Sequence, residues 1–295
     1  MKHIDKSPIQ NTRLKPFLTC VDHTVSRETF SIFIDERAEM LVTTPRPDNT
    51  DLGKYYESED YISHSNSNSS LLNRVYLFIR NYTIRKKLEL LKSFNSEGKD
   101  LLDIGAGTGD FLLACKNDGW AIQGVEPNKK ANKVAEDKTG IKISVEITEI
   151  LNRKFDLITM WHVLEHVPDL NFYISNLKKL LKANGTLVIA VPNYKSFDAI
   201  YYKENWAAYD VPRHLWHFSQ KAIKRLFKLE RMKVVKIIPM VFDSFYVSLL
   251  SEKYKRGRSN LLKAFYIGLK SNYKAKSSGE FSSLIYVIKN SENGF

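Results

Sequence analysis

Leu101-Leu102-Asp103-Ile104-Gly105-Ala106-Gly107-Thr108-Gly109-Asp110-Phe111 is the stretch that decides the fold of this chain. Its apolar run changes abruptly into alternating glycines, which predicts a buried strand, a tight loop and the start of a helix. Glycine permits positive φ and leaves the main chain bare, so a flat or anionic ligand can lie against the loop. The stretch therefore predicts a ligand-binding turn at the carboxyl end of a strand.

The spacing of the glycines separates two kinds of nucleotide-binding turn. Dinucleotide folds use G-x-G-x-x-G, which here requires glycine at position 110, and that position holds Asp110. The observed order is Asp103-x-Gly105-x-Gly107-x-Gly109. It resembles the first motif of the class I S-adenosylmethionine (SAM) dependent methyltransferases, an acidic residue followed by G-x-G-x-G. The resemblance implies an α/β fold, a Rossmann-like sheet of seven strands with the last antiparallel and helices on both faces.

A second acidic residue follows the next predicted strand, Ala121 to Val125. Glu126 stands at its carboxyl end, where a carboxylate can accept hydrogen bonds from both ribose hydroxyls, and a solvated strand end is the alternative. Pro127 then ends the strand. The resemblance implies that SAM, and its product S-adenosylhomocysteine, lie against Asp103, Gly105, Ala106, Gly107, Gly109, Glu126 and Pro127.

Composition and length indicate one large or two small globular domains. The chain has 295 residues, 43% of them hydrophobic, and a formal net charge of +12. No apolar run approaches the ~20 residues of a membrane helix, and the N-terminus lacks the apolar core of a signal peptide. We therefore expect a cytoplasmic protein without membrane insertion, in which Cys20 and Cys115 are reduced and structural.

Residues 1–60 form a separate N-terminal segment, with a predicted strand at 30–34. Many similar methyltransferases begin with a zinc-ribbon-like unit of two Cys-x-x-Cys pairs. By that resemblance the second pair falls at Asp35 and Ala38, and Cys20 is the remaining thiol. Because tetrahedral zinc needs four ligands, His23 cannot complete the site, and we expect a zinc-ribbon-like segment without metal.

Residues 61–99 are predicted to cover the cofactor and to continue into one long or two short helices. The polar run 65–70 is typical of a flexible linker that ends at a helix cap. The resemblance makes Tyr61 and His64 candidate SAM contacts, and a surface tyrosine cluster is the alternative.

The methyltransferase domain is placed at 100–295, with further strands predicted at 141–145, 155–160 and 186–191. The phrase Trp161 to Val167, read W-H-V-L-E-H-V, resembles the corresponding motif of ubiquinone-biosynthesis O-methyltransferases. It follows the fourth strand at the edge where doubly wound sheets bind ligands. We therefore add Trp161 and His162 to the predicted cofactor contacts.

Two insertions depart from a minimal methyltransferase core, at 196–219 and 239–282. Methyl transfer is an in-line displacement, so the protein must align the acceptor and, for O or N acceptors of high pKa, remove a proton. Histidine suits that task near neutral pH. His214 is the first candidate, with Asp210 to orient it and Arg213 to hold an acidic acceptor, and His166 is a further candidate. Trp206, Tyr209 and Trp216 are predicted as walls of the acceptor site, and the alternative is that they are the packed underside of a loop.

The sequence predicts a SAM-dependent methyltransferase without metal, for a small or medium-sized acceptor of acidic or aromatic character. A SAM-binding protein without catalysis is one alternative, because the cofactor motif is better defined than any base. A nucleic-acid methyltransferase is the other, suggested by the +12 charge. Against it, Trp161-His162-Val163-Leu164 occupies the place of an Asn-Pro-Pro-Tyr type motif. The sequence does not indicate the oligomeric state.

Overall fold

The computed structural model describes residues 1–48, 50–56, 71–94 and 98–291, and for 71–79 it describes the backbone alone. Tyr61 and His64, the predicted cofactor-covering contacts, lie outside the described residues, as does the polar run at 65–70. The chain divides into two compact units. Unit 1 comprises residues 1–58, 162–173 and 189–287, and unit 2 comprises residues 59–161, 174–188 and 288–295.

Unit 1 contains a four-stranded sheet in the order β1-β2-β3-β8, formed by Lys15–Val21, Thr29–Asp35, Met40–Thr43 and Trp216–His217. Neighbouring strands are antiparallel, and Leu41 pairs with His217. Phe30, Ile32 and Leu41 are buried in one apolar cluster with residues of the 196–219 insertion. The N-terminal strands thus belong to the same core as that insertion.

Two carboxylates, Asp22 and Asp35, organise tight turns of the N-terminal segment. Asp35 accepts hydrogen bonds from the backbone N–H groups of Arg37 and Ala38 at 3.0 and 3.1 Å. Asp22 accepts from those of Thr24, Val25 and Ser26, which lowers its pKa to about 2 although burial acts to raise it. Side chain to backbone bonds of this kind fix tight turns without a metal.

Unit 2 is built on the parallel strands β4 (Asp100–Ile104), β5 (Ala121–Val125) and β6 (Phe155–Trp161). The middle residues of β4 and β6 are buried, as expected for strands covered on both faces. The helices are α1 (Leu71–Lys92), α2 (Asp110–Asn117) and α3 (Lys129–Thr139). The segment before the glycine loop thus forms one long helix.

The second sheet runs in the order β5-β4-β6-β7-β10-β9, where β7 is Leu181–Pro192, β9 is Met232–Pro239 and β10 is Ser283–Asn290. This mixed α/β architecture confirms the predicted fold class. Six strands of the described residues form the sheet, whereas seven were predicted. The predicted strand at 141–145 makes a single parallel bridge, between Val125 and Ser144. The direction of the last strand stays a prediction.

The remaining helices are α4 (Leu170–Leu180), α5 (Phe197–Tyr202), α6 (Gln220–Leu229), α7 (Asp243–Arg256) and α8 (Leu261–Ser278). Short 3-10 turns occupy Leu52–Tyr56, Ile147–Ile150, Leu164–His166, Lys203–Asn205 and Ala207–Tyr209. The 239–282 insertion therefore holds the α7 and α8 pair. Among the described residues, no helix combines the length and apolar character needed to cross a membrane.

Candidate active site

The glycine loop of unit 2 joins β4 to α2 with φ angles that favour glycine. Gly105, Gly107 and Gly109 have φ of 73°, 54° and 78°. A Cβ on Gly109 would come within 2.9 Å of the Cα of Ala135, so this glycine lets α3 pack against the loop. A Cβ on Gly107 would meet no atom within 4 Å, so its backbone faces open space that a ligand can occupy.

Glu126 lies beside this loop at the carboxyl end of β5. One carboxylate oxygen accepts a hydrogen bond from the Gly107 N–H at 2.8 Å, and the other accepts from the Asn128 N–H at 2.9 Å. Burial raises the pKa of Glu126, and the two N–H groups oppose that effect. The structure thus brings the second predicted acidic residue to the bare backbone of the glycine loop.

Asp103 is the last but one residue of β4 and is buried. Burial raises its pKa to about 7, although the hydroxyl of Thr159 donates to it at 2.6 Å and Lys87 favours its charged form. A ligand that brings a positive charge beside Asp103 would lower this pKa, because it would stabilise the charged carboxylate.

Trp161 ends β6 and contacts an aromatic residue and a cation of unit 2. Its ring meets Phe111 edge to face with centroids 5.6 Å apart, and Lys87 Nζ lies 4.2 Å from the ring centroid. The indole N–H is buried and donates no hydrogen bond to the described residues. Of the other predicted contacts, Ala106 is buried and Pro127 is exposed.

His162 opens a second group of polar side chains, which belongs to unit 1. Its φ is 56°, and its Nε2 and Nδ1 lie 3.2 Å from Asp243 Oδ2 and 3.4 Å from Glu165 Oε1. Burial alone would lower the pKa of His162, but the two carboxylates outweigh it and raise the pKa to about 10. His162 is therefore an imidazolium at neutral pH and cannot serve as a base there.

Glu165 is buried, and both of its carboxylate oxygens accept no hydrogen bond from the described residues. Burial would raise the pKa of Glu165, yet protonated His162 lowers it. The His162 imidazolium, 3.4 Å from Oε1, offsets part of the cost of burying this carboxylate, and the described residues give Oε2 no hydrogen bond. The Glu165 carboxylate can therefore still accept hydrogen bonds from a ligand.

His166 lies one residue further along, in the 3-10 turn. Its Nδ1 is 3.0 Å from the carbonyl oxygen of Arg213 and 3.0 Å from the hydroxyl of Tyr56. A carbonyl only accepts, so Nδ1 carries a proton and the neutral ring keeps its lone pair on Nε2. Burial and the neighbouring His214 lower the pKa of His166 to about 4. His166 is thus neutral at physiological pH.

His214 packs edge to face against His166, with ring centroids 4.6 Å apart. Its Nδ1 donates to the carbonyl of Ala208 at 2.8 Å, and its Nε2 lies 3.8 Å from Asp210 Oδ2. This places the lone pair of the neutral ring on Nε2, with a carboxylate near enough to stabilise a proton taken up there. The structure thus brings together three of the predicted catalytic residues.

Arg213 forms an ion pair with Asp210, in which its Nε donates at 2.9 Å, and it also donates to the carbonyl of Tyr55 at 3.0 Å. The pair lowers the pKa of Asp210 against the effect of burial and raises that of Arg213. The guanidinium is therefore occupied within the protein, whereas the sequence predicts that it binds an acidic group on the acceptor.

Glu165, His166 and His214 each offer one donor atom, and the three atoms lie within 4.8 Å of one another. Two imidazole nitrogens and a carboxylate are ligands that divalent transition metals accept. The same three groups can also accept hydrogen bonds from hydroxyls of a substrate. Among the described residues, this cluster is where the expected absence of a metal is to be tested.

The family assignment comes from the sequence comparison. A family model described as a methyltransferase domain matches residues 76–234, more than half of the chain. The chain belongs to this methyltransferase family. With its Asp103-x-Gly105-x-Gly107-x-Gly109 loop and its α/β sheet, it is a class I SAM-dependent methyltransferase.

Curated relatives of this methyltransferase include ubiquinone biosynthesis O-methyltransferases. That of Pelagibacter ubique is 34% identical over 122 residues, 39% of this chain and 49% of the relative. That of Rhodopseudomonas palustris strain TIE-1 is 31% identical over 170 residues, 54% of this chain and 67% of the relative. The chain thus spans about half to two thirds of the length of these relatives.

A solved structure shares the fold of this methyltransferase. The magnesium protoporphyrin IX methyltransferase of Synechocystis PCC 6803 with bound S-adenosylhomocysteine superposes with a TM-score of 0.55. The two chains are 13% identical, and the match covers 83% of this chain and all of the other. At this identity the comparison shows the fold alone.

The aromatic residues predicted as acceptor walls are core residues of the methyltransferase. Trp206, Tyr209 and Trp216 are at most 3% exposed. Trp206 donates its indole N–H to Asp198, and Trp216 donates to the carbonyl of Val167. The prediction that these rings stack on the acceptor is therefore wrong, and the alternative of a packed underside of a loop holds.

Sequence reasoning missed Glu165 and Asp243 as partners of His162, and Thr159 as a partner of Asp103. Glu165 could have been found, because it lies only three positions after His162. Asp243 and Thr159 are distant in sequence from their partners, and no local pattern marks them.

Proposed function

We propose that this methyltransferase transfers the methyl group of SAM to a hydroxyl oxygen of a small-molecule acceptor. The observation that carries the proposal is the 2.8 Å contact between the Glu126 carboxylate and the Gly107 N–H. This contact places the Glu126 carboxylate, which can accept hydrogen bonds from ribose hydroxyls, beside the backbone of Gly107. Gly107 has no side chain that would exclude a ligand.

Each cofactor residue has a role that follows from its chemistry. Glu126 would accept hydrogen bonds from the ribose hydroxyls in place of the two backbone N–H groups that it now binds. Buried Asp103, with its pKa near 7, would be ionised by the ammonium group of the methionine part of SAM. The Trp161 indole N–H remains available for a polar group of the ligand.

The hydroxyl acceptor is supported by the histidine group of unit 1 and by the names of the curated O-methyltransferase relatives. His214 is the proposed general base, because its Nε2 is the nitrogen that keeps a lone pair and Asp210 can stabilise the imidazolium. Buried Glu165 and neutral His166 would accept hydrogen bonds that orient the acceptor. His162 would stay protonated and hold Glu165 in place.

A turnover assay tests the proposal. The full chain is incubated with labelled SAM and a panel of catechols, phenols and hydroxyquinones, and both S-adenosylhomocysteine and labelled product are measured. We expect labelled ether product with at least one hydroxylated acceptor and none with the matched acceptor whose hydroxyl is already methylated. The same assay with a chelator shows whether turnover needs a divalent ion at the Glu165 cluster.

The assay also separates the two alternatives. SAM binding without product across a broad metabolite extract would favour a binding protein without catalysis. Label transferred to RNA or DNA, with binding that weakens steeply as salt increases, would favour a nucleic-acid methyltransferase. Either result would replace the small-molecule proposal.

A further inference from the structure

The helix α8 in the 239–282 insertion presents its most apolar side to solvent. Its exposed apolar residues are between 53% and 86% exposed and are Leu261, Leu262, Phe265, Tyr266, Leu269 and Tyr273. With 3.6 residues per turn, the six fall within an arc of about 140°. A surface helix normally turns such a face to the core, so this arrangement requires a reason.

Helix α8 cannot rotate to bury its apolar side, because small residues on its opposite side pack closely against α5 and α7. Ala264, Gly268, Ser271 and Ala275 are buried on that side. A Cβ on Gly268 would lie 2.7 Å from the ring of Phe245, and Ser271 donates to buried Asp198 at 2.6 Å. The close packing therefore holds the apolar face outward.

Basic side chains border this outward face. On the helix, Lys263, Lys270 and Lys274 follow the apolar arc on one side, at about 180–220° in the same projection. The end of α7 adds Lys255 and Arg256, and the turn that joins α7 to α8 adds Arg258. Over residues 239–282 the chain has eight Lys and Arg and three Asp and Glu, a net charge of +5.

The acidic residues of this insertion offset only part of that charge. Asp243 is paired with His162, and buried Glu252 accepts from Tyr202 and lies 3.1 Å from Arg256 and 3.9 Å from Lys263. Lys274 lies over the ring of Phe197 with its Nζ 4.4 Å from the centroid, so its charge stays close to the helix surface. The face thus combines apolar area with a positive rim.

We propose that the outer face of α8 binds an anionic membrane surface as an interfacial helix. Leucine and phenylalanine would enter the boundary between headgroups and acyl chains, tyrosines would lie at headgroup level, and the lysines would meet anionic headgroups. A second copy of the chain fits less well, because two faces of like charge would meet. An RNA strand would meet the lysines but would leave Leu261 and Leu262 without a partner. The inference does not depend on the proposed methyl transfer.

Vesicle binding by the full chain tests this proposal. The protein is sedimented with vesicles of phosphatidylcholine alone and of phosphatidylcholine with phosphatidylglycerol. We expect at least about tenfold tighter binding to the anionic vesicles, weakening as salt increases. Leu262→Ser with Phe265→Ser should reduce that binding about tenfold or more, and Lys270→Gln with Lys274→Gln should remove most of the preference for anionic lipid.

Matched variants elsewhere on the surface serve as controls. Phe172→Ser with Leu229→Ser removes the same side-chain types from other exposed positions, and Lys129→Gln with Lys130→Gln removes two exposed lysines of α3. Both controls should bind as the unchanged protein does. All variants lie at exposed or partly exposed sites, and their thermal unfolding is measured to verify that they fold.

Three outcomes would overturn the proposal. The first is binding to neither kind of vesicle by a folded protein, or binding that the α8 variants leave unchanged. The second is a dimer that becomes a monomer in the Leu262→Ser and Phe265→Ser variant, because a second copy then covers the face. The third is single-stranded RNA that displaces the vesicles through the same lysines.

Discussion

Nε2 of His162 lies 3.2 Å from Oδ2 of Asp243, which ties the turn after β6 to the first residue of α7. Glu165 meets the other ring nitrogen, so the imidazolium lies between two carboxylates. The backbone of His162 has φ of 56°, a conformation that non-glycine residues adopt infrequently. The ion pairs therefore stabilise a turn that the local sequence alone would not favour.

The first prediction concerns the pH dependence of this ion pair. The pKa of His162 is raised from 6.5 to about 10, so its stabilisation is fully present below pH 6.5 and is lost as pH rises through about 10. The Tm of the unchanged protein should fall more steeply between about pH 7 and about pH 10 than that of His162→Gln. Exposed His3→Gln should behave like the unchanged protein. Parallel curves for His162→Gln and the unchanged protein would contradict the assignment.

The second prediction concerns Asp103, whose folded-state pKa is raised from 3.8 to about 7 by burial. The protonated form is favoured in the folded protein, so stability is lost as pH rises through about 7. Without ligand, Asp103→Asn should be more stable than the unchanged protein at about pH 8, by roughly 1–3 kcal/mol, and the gain should shrink toward about pH 5. Denaturant unfolding at about pH 8 and at about pH 5 measures the two differences in stability. Exposed Asp137→Asn is the control. If Asp103→Asn is instead less stable than the unchanged protein at about pH 8, burial does not destabilise the ionised carboxylate of Asp103.

The third prediction concerns the proposed base. His214→Ala should lower kcat by about 10²-fold or more with an identified acceptor, while SAM affinity stays within error, because the residue acts on the acceptor proton. His23→Ala is the matched control, since His23 is a partly buried histidine of unit 1 that stacks on Tyr254. Unchanged turnover in a folded His214→Ala variant would remove the role of His214 as base.

The fourth prediction is that the N-terminal segment binds no zinc, because the carboxylates of Asp22 and Asp35 hold its turns through backbone N–H groups. Elemental analysis of the purified protein measures bound zinc. An ion lost on His166→Ala would belong to the Glu165 cluster. Zinc that remains in His166→Ala and is lost in Cys20→Ser would contradict the prediction.

The glycine loop and Glu126 could be predicted from the sequence because their signals are local. The loop needs positive φ at three alternating positions, and Glu126 directly follows an apolar strand. The strand predicted at 141–145 failed because its apolar alternation satisfies the strand pattern, yet it forms a single bridge to Val125. The periodicity of apolar residues indicates which segments can adopt an extended backbone. Whether such a segment pairs as a strand depends on the strands beside it.

The histidine group was predicted only in part, for a physical reason. His166 and His214 are 48 residues apart, and contact between their rings depends on how the 196–219 insertion folds back. The aromatic residues of the same insertion were also interpreted incorrectly from the sequence. Trp206 and Tyr209 are large enough to line a pocket or to fill a core, and only their buried contacts distinguish the two. Asp243 belongs to a helix whose position no local pattern indicates.

Calorimetric titration of SAM into the unchanged protein and into Glu126→Ala tests the central claim most directly. Loss of the hydrogen bonds from the ribose hydroxyls should weaken binding by about 1–3 kcal/mol with little loss of fold. Asp137→Ala, which removes an exposed carboxylate of α3, should leave SAM affinity unchanged, and NAD should not bind measurably. SAM binding to the unchanged protein, weakened in Glu126→Ala alone, is the predicted result. Equal SAM affinity in the unchanged protein and Glu126→Ala, or no SAM binding at all, would contradict the account.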